Sequence, residues 1–194
     1  ANDWTNMAMW AEKISKLDLG KDFGAELRTL EVGALFRSAT LLFEQGEYQK
    51  AADEYIRLVN ENPEAKDSAS ALNNAAVAFE KLRKFESAGR VYQRIVNEYP
   101  KSEFVENALF NLAKSYNRVF DYDKAIKTYS RLFSEFPESE RRADYLYLAA
   151  INLEKTGQYR RAAKRYEEYA RAFPNRTETA ETFFKAVRMY QRLK

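Results

Sequence analysis

FVENALFNLAKSYNRVFDYDKAIKTYSRLFSEFP, residues 104–137, is the stretch whose reading decides the fold. Val105, Ala108, Leu109, Leu112, Ala113 and Tyr116 recur at spacings of three and four, which places them on one stripe of a helix. Ser102 stands just ahead as a candidate N-cap, with Glu103 and Glu106 near the positive end of the helix dipole. Asp121 marks a short turn, after which Tyr122, Ala125, Ile126, Tyr129, Leu132 and Phe133 form a second stripe. Pro137 stops it, because the residue before a proline is pushed out of the helical region. The stretch is predicted to be an antiparallel helical hairpin.

Outward from this block the same pattern returns at one interval. Ala51, Ala88, Ala125 and Ala162 are 37 residues apart, as are Pro63, Pro100, Pro137 and Pro174. Between them fall an aromatic (Tyr55, Tyr92, Tyr129, Tyr166) and an apolar residue (Leu58, Ile95, Leu132, Tyr169). A unit repeated in this way cannot bury its apolar side alone and must stack on its neighbours. The expected fold is all-α, an α-solenoid of stacked antiparallel hairpins, with repeats at 31–67, 68–102, 103–139 and 140–176. Ala39, Ala76, Ala113 and Ala150 lie where two helices must approach closely, so they read as packing residues.

The two ends keep helical patterning but lose the full repeat. Residues 1–30 read as a degenerate repeat or N-terminal cap. There Trp4, Met7, Met9, Trp10, Ile14 and Leu17 suggest one amphipathic helix ending near Gly20, with the tryptophans expected in packing. Residues 177–194 read as a capping helix or the start of a further repeat, with Phe183 and Val187 expected to be buried against the fourth hairpin. The chain opens at Ala1, Asn2 and Asp3, not on Met and an apolar leader, so a processed or excised segment is expected.

Composition narrows the function. The chain of 194 residues is 31% charged, with 32 basic and 29 acidic residues mixed along it, so no strong general field for nucleic acid is expected. The basic excess is concentrated from Arg141 onward, with thirteen Lys/Arg against six Asp/Glu. Cysteine and histidine are absent, which removes disulfides, thiol nucleophiles, thiolate metal sites and the commonest general base together. The glycines are scattered singly and form no phosphate-binding loop. No apolar run approaches the roughly 18 residues needed to span a bilayer. The expectation is a non-enzymatic protein without cofactor or metal, with no nucleic-acid partner and no direct membrane insertion.

Hairpins with Leu35, Leu72, Leu109 and Leu146 early in the first helix, a small residue four further on, an aromatic at Tyr48, Phe85, Tyr122 and Tyr159, then alanine, aromatic and terminal proline resemble tetratricopeptide repeats. The match covers about residues 31 to 193. It departs in a repeat three residues longer than usual, in leucine where the family has tryptophan, and in a turn glycine kept only at Gly46 and Gly157. The resemblance implies a right-handed superhelix whose first helices line a concave groove. The long repeat is similar to a subgroup of bacterial cell-envelope proteins, among them the Tol–Pal coordinator, the outer-membrane assembly lipoprotein and gliding-motility repeat proteins. That similarity implies a periplasmic or cell-envelope location, the alternative being cytoplasmic.

Carrying the family's groove positions over gives Phe36 and Thr40; Asn73 and Val77; Asn107, Phe110, Lys114, Asn117 and Arg118; Tyr147 and Ile151; and Phe184 and Arg188. An aromatic row flanked by Asn, Lys and Arg suits an extended peptide or an amphipathic helix of a partner protein. The competing reading is that the rings only fill space between adjacent first helices. A second functional reading is a structural module that docks neighbours in a larger machine through its ends or convex side.

Overall fold

The computed structural model describes residues 4–15 and 21–193. Within the first two helices a few side chains, that of Trp4 among them, lie outside the described residues, as do Leu17 and Gly20. The described residues form ten α-helices: α1 Trp4–Ser15, α2 Lys21–Glu44, α3 Tyr48–Glu61, α4 Ser68–Lys81, α5 Phe85–Glu98, α6 Val105–Arg118, α7 Tyr122–Glu135, α8 Arg142–Lys155, α9 Tyr159–Ala172 and α10 Thr179–Gln191. Consecutive helices pair as hairpins, α2 with α3, α4 with α5, α6 with α7 and α8 with α9, so the chain is an all-α solenoid of antiparallel hairpins. It divides into two compact units, residues 1–105 and 106–194. Helix α2 runs unbroken through residue 31, so the first hairpin shares its opening helix with the N-terminal region.

The repeat's invariant residues are its core. Ala51, Ala88, Ala125 and Ala162 are fully buried, as are Ala39, Ala76, Ala113 and Ala150. Tyr55, Tyr92, Tyr129 and Tyr166, each at most 1% exposed, fill the space behind them. Alanine at the crossing lets two backbones approach, and the tyrosine one turn on supplies the apolar area that the alanine lacks.

The turns inside the hairpins are built alike. In each, the N–H three residues past the end of the first helix reaches back to a carbonyl five residues earlier: Glu47 to Leu42, Lys84 to Phe79, Asp121 to Tyr116 and Gln158 to Leu153. This is the 6→1 bond of a Schellman cap, which requires a left-handed residue just before it. Gly46 and Gly157 occupy that place at φ 81° and 71°, whereas Arg83 and Phe120 take the same conformation at 57° and 62°. The turn is therefore kept in all four hairpins although glycine is kept in two. At the start of α7 the Asp121 carboxylate accepts from the Lys124 N–H at 3.2 Å, a side-chain N-cap. Ser102 does not cap α6 in this way. Its hydroxyl accepts from the Phe104 N–H at 3.3 Å and closes the turn ahead of the helix.

Two expectations about the ends are corrected. Trp10 is 57% exposed, with the Lys13 ammonium 4.8 Å from its ring, so it does not pack in a core. On α10 the residues facing inward are Thr182, Ala186 and Met189, while Phe183 and Val187 are 52% and 39% exposed. The helix sits against α9 on a stripe one position away from the one that apolar spacing picks out. Ala186 and Met189 are its contribution to the cluster with Ala162, Ala163 and Tyr166.

Candidate functional site

In the unit from 106 to 194 the aromatic row lies at the seams between successive first helices. Phe110 of α6 meets Tyr129 of α7 edge-on at 6.1 Å and Tyr145 of α8 at 5.8 Å. Tyr147 of α8 stands 6.0 Å from Tyr166 and 5.9 Å from Tyr169 of α9. Both rings are half-buried, and cations lie over their outer faces. Lys114 and Arg141 stand 5.7 Å and 5.0 Å from the Phe110 ring, and Lys185 stands 4.8 Å from Tyr147 and donates to its hydroxyl. A ring's negative face attracts such cations by about 0.5–1 kcal/mol at exposed sites, and two of them are also paired, Arg141 with Glu106 at 3.3 Å and Lys185 with Glu181 at 3.4 Å.

The remaining predicted positions separate by what holds them. Asn117 donates to the Tyr129 hydroxyl at 3.4 Å, while its buried carbonyl oxygen finds no hydrogen-bond partner among the described residues. Burial pushes the Tyr129 hydroxyl up to about 12, a shift that the Asn117 amide opposes. Ile151 packs partly buried against the cluster of Leu153, Ala163 and Tyr166. Asn107 is half-buried on α6, and Lys114, Arg118, Phe184 and Arg188 are exposed, Phe184 at 64%.

In the unit from 1 to 105, Phe36 of α2 lies edge-on to Tyr55 of α3 at 5.3 Å, and Thr40 bonds both the Phe36 carbonyl and the Tyr55 hydroxyl at 2.8 Å. Asn73 of α4 is half-buried, with a carbonyl oxygen that finds no partner among the described residues, and Val77 beside it is half-buried. An open hollow of about 350 Å³ is lined by Met9, Leu35, Leu41 and Leu42 with Glu54 and Arg57 on its rim, where the two charges pair at 2.7 Å. Helical spacing assigns Leu35 to the core but has no signal for the hollow beside it.

A polar clamp also escaped the sequence reading. The Glu106 carboxylate on α6 accepts from Ser139 at 2.7 Å and from the Tyr145 hydroxyl, and pairs with Arg141 at 3.3 Å. Burial pushes this carboxyl up, but the two hydroxyl donors and the Arg141 charge outweigh it and hold the group below the usual carboxylate value. It ties the first helix of one hairpin to the loop and first helix of the next. The sequence shows only a first-turn acid suited to the helix dipole.

Two family models, both described as Tetratricopeptide repeat, match residues 36–103 and residues 107–139 and 144–176, and the chain belongs to that family. No curated protein matches it significantly. Among solved structures it is similar to BtubC (BKLC) from P. vanneervenii, 15% identical over 98% of this chain and 84% of that one, with a TM-score of 0.59. It is also similar to MamA of AMB-1, at 12% identity over 90% and 85% with a TM-score of 0.59. A third similar structure is MamA 41-end from Desulfovibrio magneticus RS-1, at 15% identity over 89% and 98% with a TM-score of 0.56. These likenesses show the fold. As a tetratricopeptide-repeat protein the chain is a protein–protein interaction scaffold, a fold that is typically non-catalytic. No helix among the described residues is long and apolar enough to cross a membrane.

Proposed function

We propose that the protein binds a segment of a partner across the first-helix face of the unit from 106 to 194. The observation that carries this reading is the stationing of cations over the rings of Phe110 and Tyr147. A partner segment with apolar side chains and carboxylates meets both properties of that face. Lys114, Arg118 and Arg188 face its carboxylates, exposed Phe184 adds apolar contact, and Phe110 and Tyr147 form the floor. The setting is a bacterial cell-envelope assembly, a reading supported by the 37-residue period and compatible with the absence of cysteine.

The test is capture of partner from native cells by the full chain carrying Lys114→Glu and Arg118→Glu. Both side chains are exposed, so the helix content measured by circular dichroism stays that of the parent. Capture falls roughly tenfold or more, as expected when charge complementarity across an interface is reversed. Undiminished capture with an intact fold overturns the reading. Fractionation of the native cell tests the location, with recovery in the envelope fraction expected and exclusive recovery in the cytosol contradicting it.

A further inference from the structure

Of the four turns inside the hairpins, one departs from the rest. The left-handed residue is Gly46, Arg83, Phe120 and Gly157 in chain order, so only the turn between α6 and α7 sets an apolar ring there. Phe120 is 75% exposed, and Val119 beside it is exposed as well. For a bulky side chain a positive φ is an outlier, and glycine closes the same turn at Gly46 and Gly157 without that penalty. A strained residue that projects its ring into water serves neither the turn nor the core. Strain of this kind collects where a protein meets a ligand. Tyr122, edge-on to the ring at 6.3 Å, steadies it in that pose.

The end of the unit that carries this ring is basic. Residues 118–126 and 155–163, one period apart, hold Arg118, Lys124, Lys155, Arg160 and Arg161 against Asp121 and Asp123, and all five cations are exposed. The Lys155 ammonium lies 5.5 Å from the Tyr122 ring, which brings the two turns to one edge. At the opposite end, residues 134–142 and 171–179 are balanced, with four arginines against four glutamates. One protruding ring is too little apolar area for the packed core of a protein interface, whereas spread negative charge above an apolar layer receives such a ring without a pocket. We propose that this turn edge rests on an anionic lipid surface, with Phe120 seated at headgroup level and the cations of both turns facing the phosphates. Apolar and cationic attraction are each weak alone and add at one membrane, so this peripheral contact needs no spanning helix. The edge adjoins the partner-binding face at Arg118, and Lys155, Arg160 and Phe120 lie outside that face.

The test sediments the full chain with vesicles of mixed phosphatidylglycerol and phosphatidylcholine, and with vesicles of phosphatidylcholine alone. The chain partitions to the first and not to the second, and added salt releases it. Lys155→Glu with Arg160→Glu lowers the partition coefficient about tenfold or more. Phe120→Gly lowers it roughly fivefold while its urea midpoint stays at or above the parent's, so the loss is not one of folding. Phe120→Trp, an interfacial ring at the same place, retains the binding. Soluble glycerophosphate leaves the chain on the vesicles, because a free headgroup offers no layer for the ring. Displacement by glycerophosphate overturns the proposal by assigning the edge to free phosphate. Retention on polyglutamate that Phe120→Gly weakens as much as vesicle binding overturns it by assigning the edge to an acidic protein. Failure to sediment with the anionic vesicles, or binding indifferent to Phe120→Gly, overturns it outright.

Discussion

Helices α8 and α10 carry the same stripe one repeat apart, and it is covered on the first and open on the second. On α8 the stripe is Leu146, Ala150 and Leu153 in a sealed core, and on α10 it is Phe183, Val187 and Tyr190, each between about a third and a half exposed. The joints on either side of the fourth hairpin differ in the same sense. Glu106, Ser139, Tyr145 and Arg141 make a half-buried, multiply hydrogen-bonded cluster ahead of it. Behind it, Arg176 reaches Asp144 at 3.7 Å and Arg192 reaches Glu154 at 3.7 Å across exposed surface. Hairpin periodicity repeats the backbone, while the burial of each copy depends on what its neighbour supplies.

The largest effect that divides the two helices is Leu146→Ala, which removes a sealed side chain and lowers stability by about 2–5 kcal/mol. Phe183→Ala changes it by no more than about 0.5 kcal/mol, as surface substitutions do. Urea unfolding of the two variants checks this, and equal losses would erase the distinction. Ala150→Val overpacks the α8 crossing at a cost of about 1–3 kcal/mol, whereas Val187→Ala at the matching place on α10 is near neutral.

The joints sharpen the comparison through pH. The Glu106 carboxyl is held below its ordinary value in the fold, so the stability it contributes is present above the unfolded value of 4.5 and is lost as pH falls through the folded value. Glu106→Gln therefore melts lower than the parent at pH 7, and the two curves converge in strong acid. A constant difference down to low pH would mean that the carboxylate charge is not what holds the joint. Raising salt loosens α10 before α8, read as earlier amide exchange in residues 179–191, because the bridges behind the fourth hairpin are exposed and screened.

The smallest effect concerns the turns. Phe120, 75% exposed and left-handed, carries a conformational penalty that glycine avoids. Phe120→Gly thus gains up to about 1 kcal/mol, less the entropy that glycine adds to the unfolded chain. Gly157→Ala loses a similar amount. A stabilised Gly157→Ala would show that the turn does not depend on the left-handed residue.

Much of the fold was legible because its alanines, tyrosines and prolines recur at one interval, and each recurrence repeats one packing task. The helix boundaries followed from Pro137 and its equivalents and from Asp121. The turn at Arg83 and Phe120 was less legible, since glycine marks a left-handed residue and neither side chain does. On α10, Phe183 and Val187 look like core residues when spacing alone is read. Whether an apolar stripe is buried depends on a partner helix that spacing cannot supply. The seam rings at Phe110 and Tyr147 could be listed from the family's groove positions. Their dual character, packed below and cation-covered above, emerged only when Lys185 and Arg141 were placed over them. The Glu106 clamp joins residues 33 to 39 positions apart, beyond the reach of any local pattern.

Central to the proposed function is a partner lying on the first-helix face of residues 106–194. A photo-crosslinking residue placed at 114 or 118 on α6, or at 127 or 131 on the outer side of α7, tests this in the native cell. One discrete adduct is expected from positions 114 and 118 and none from 127 and 131. The reverse pattern, with adducts only from α7, would contradict it.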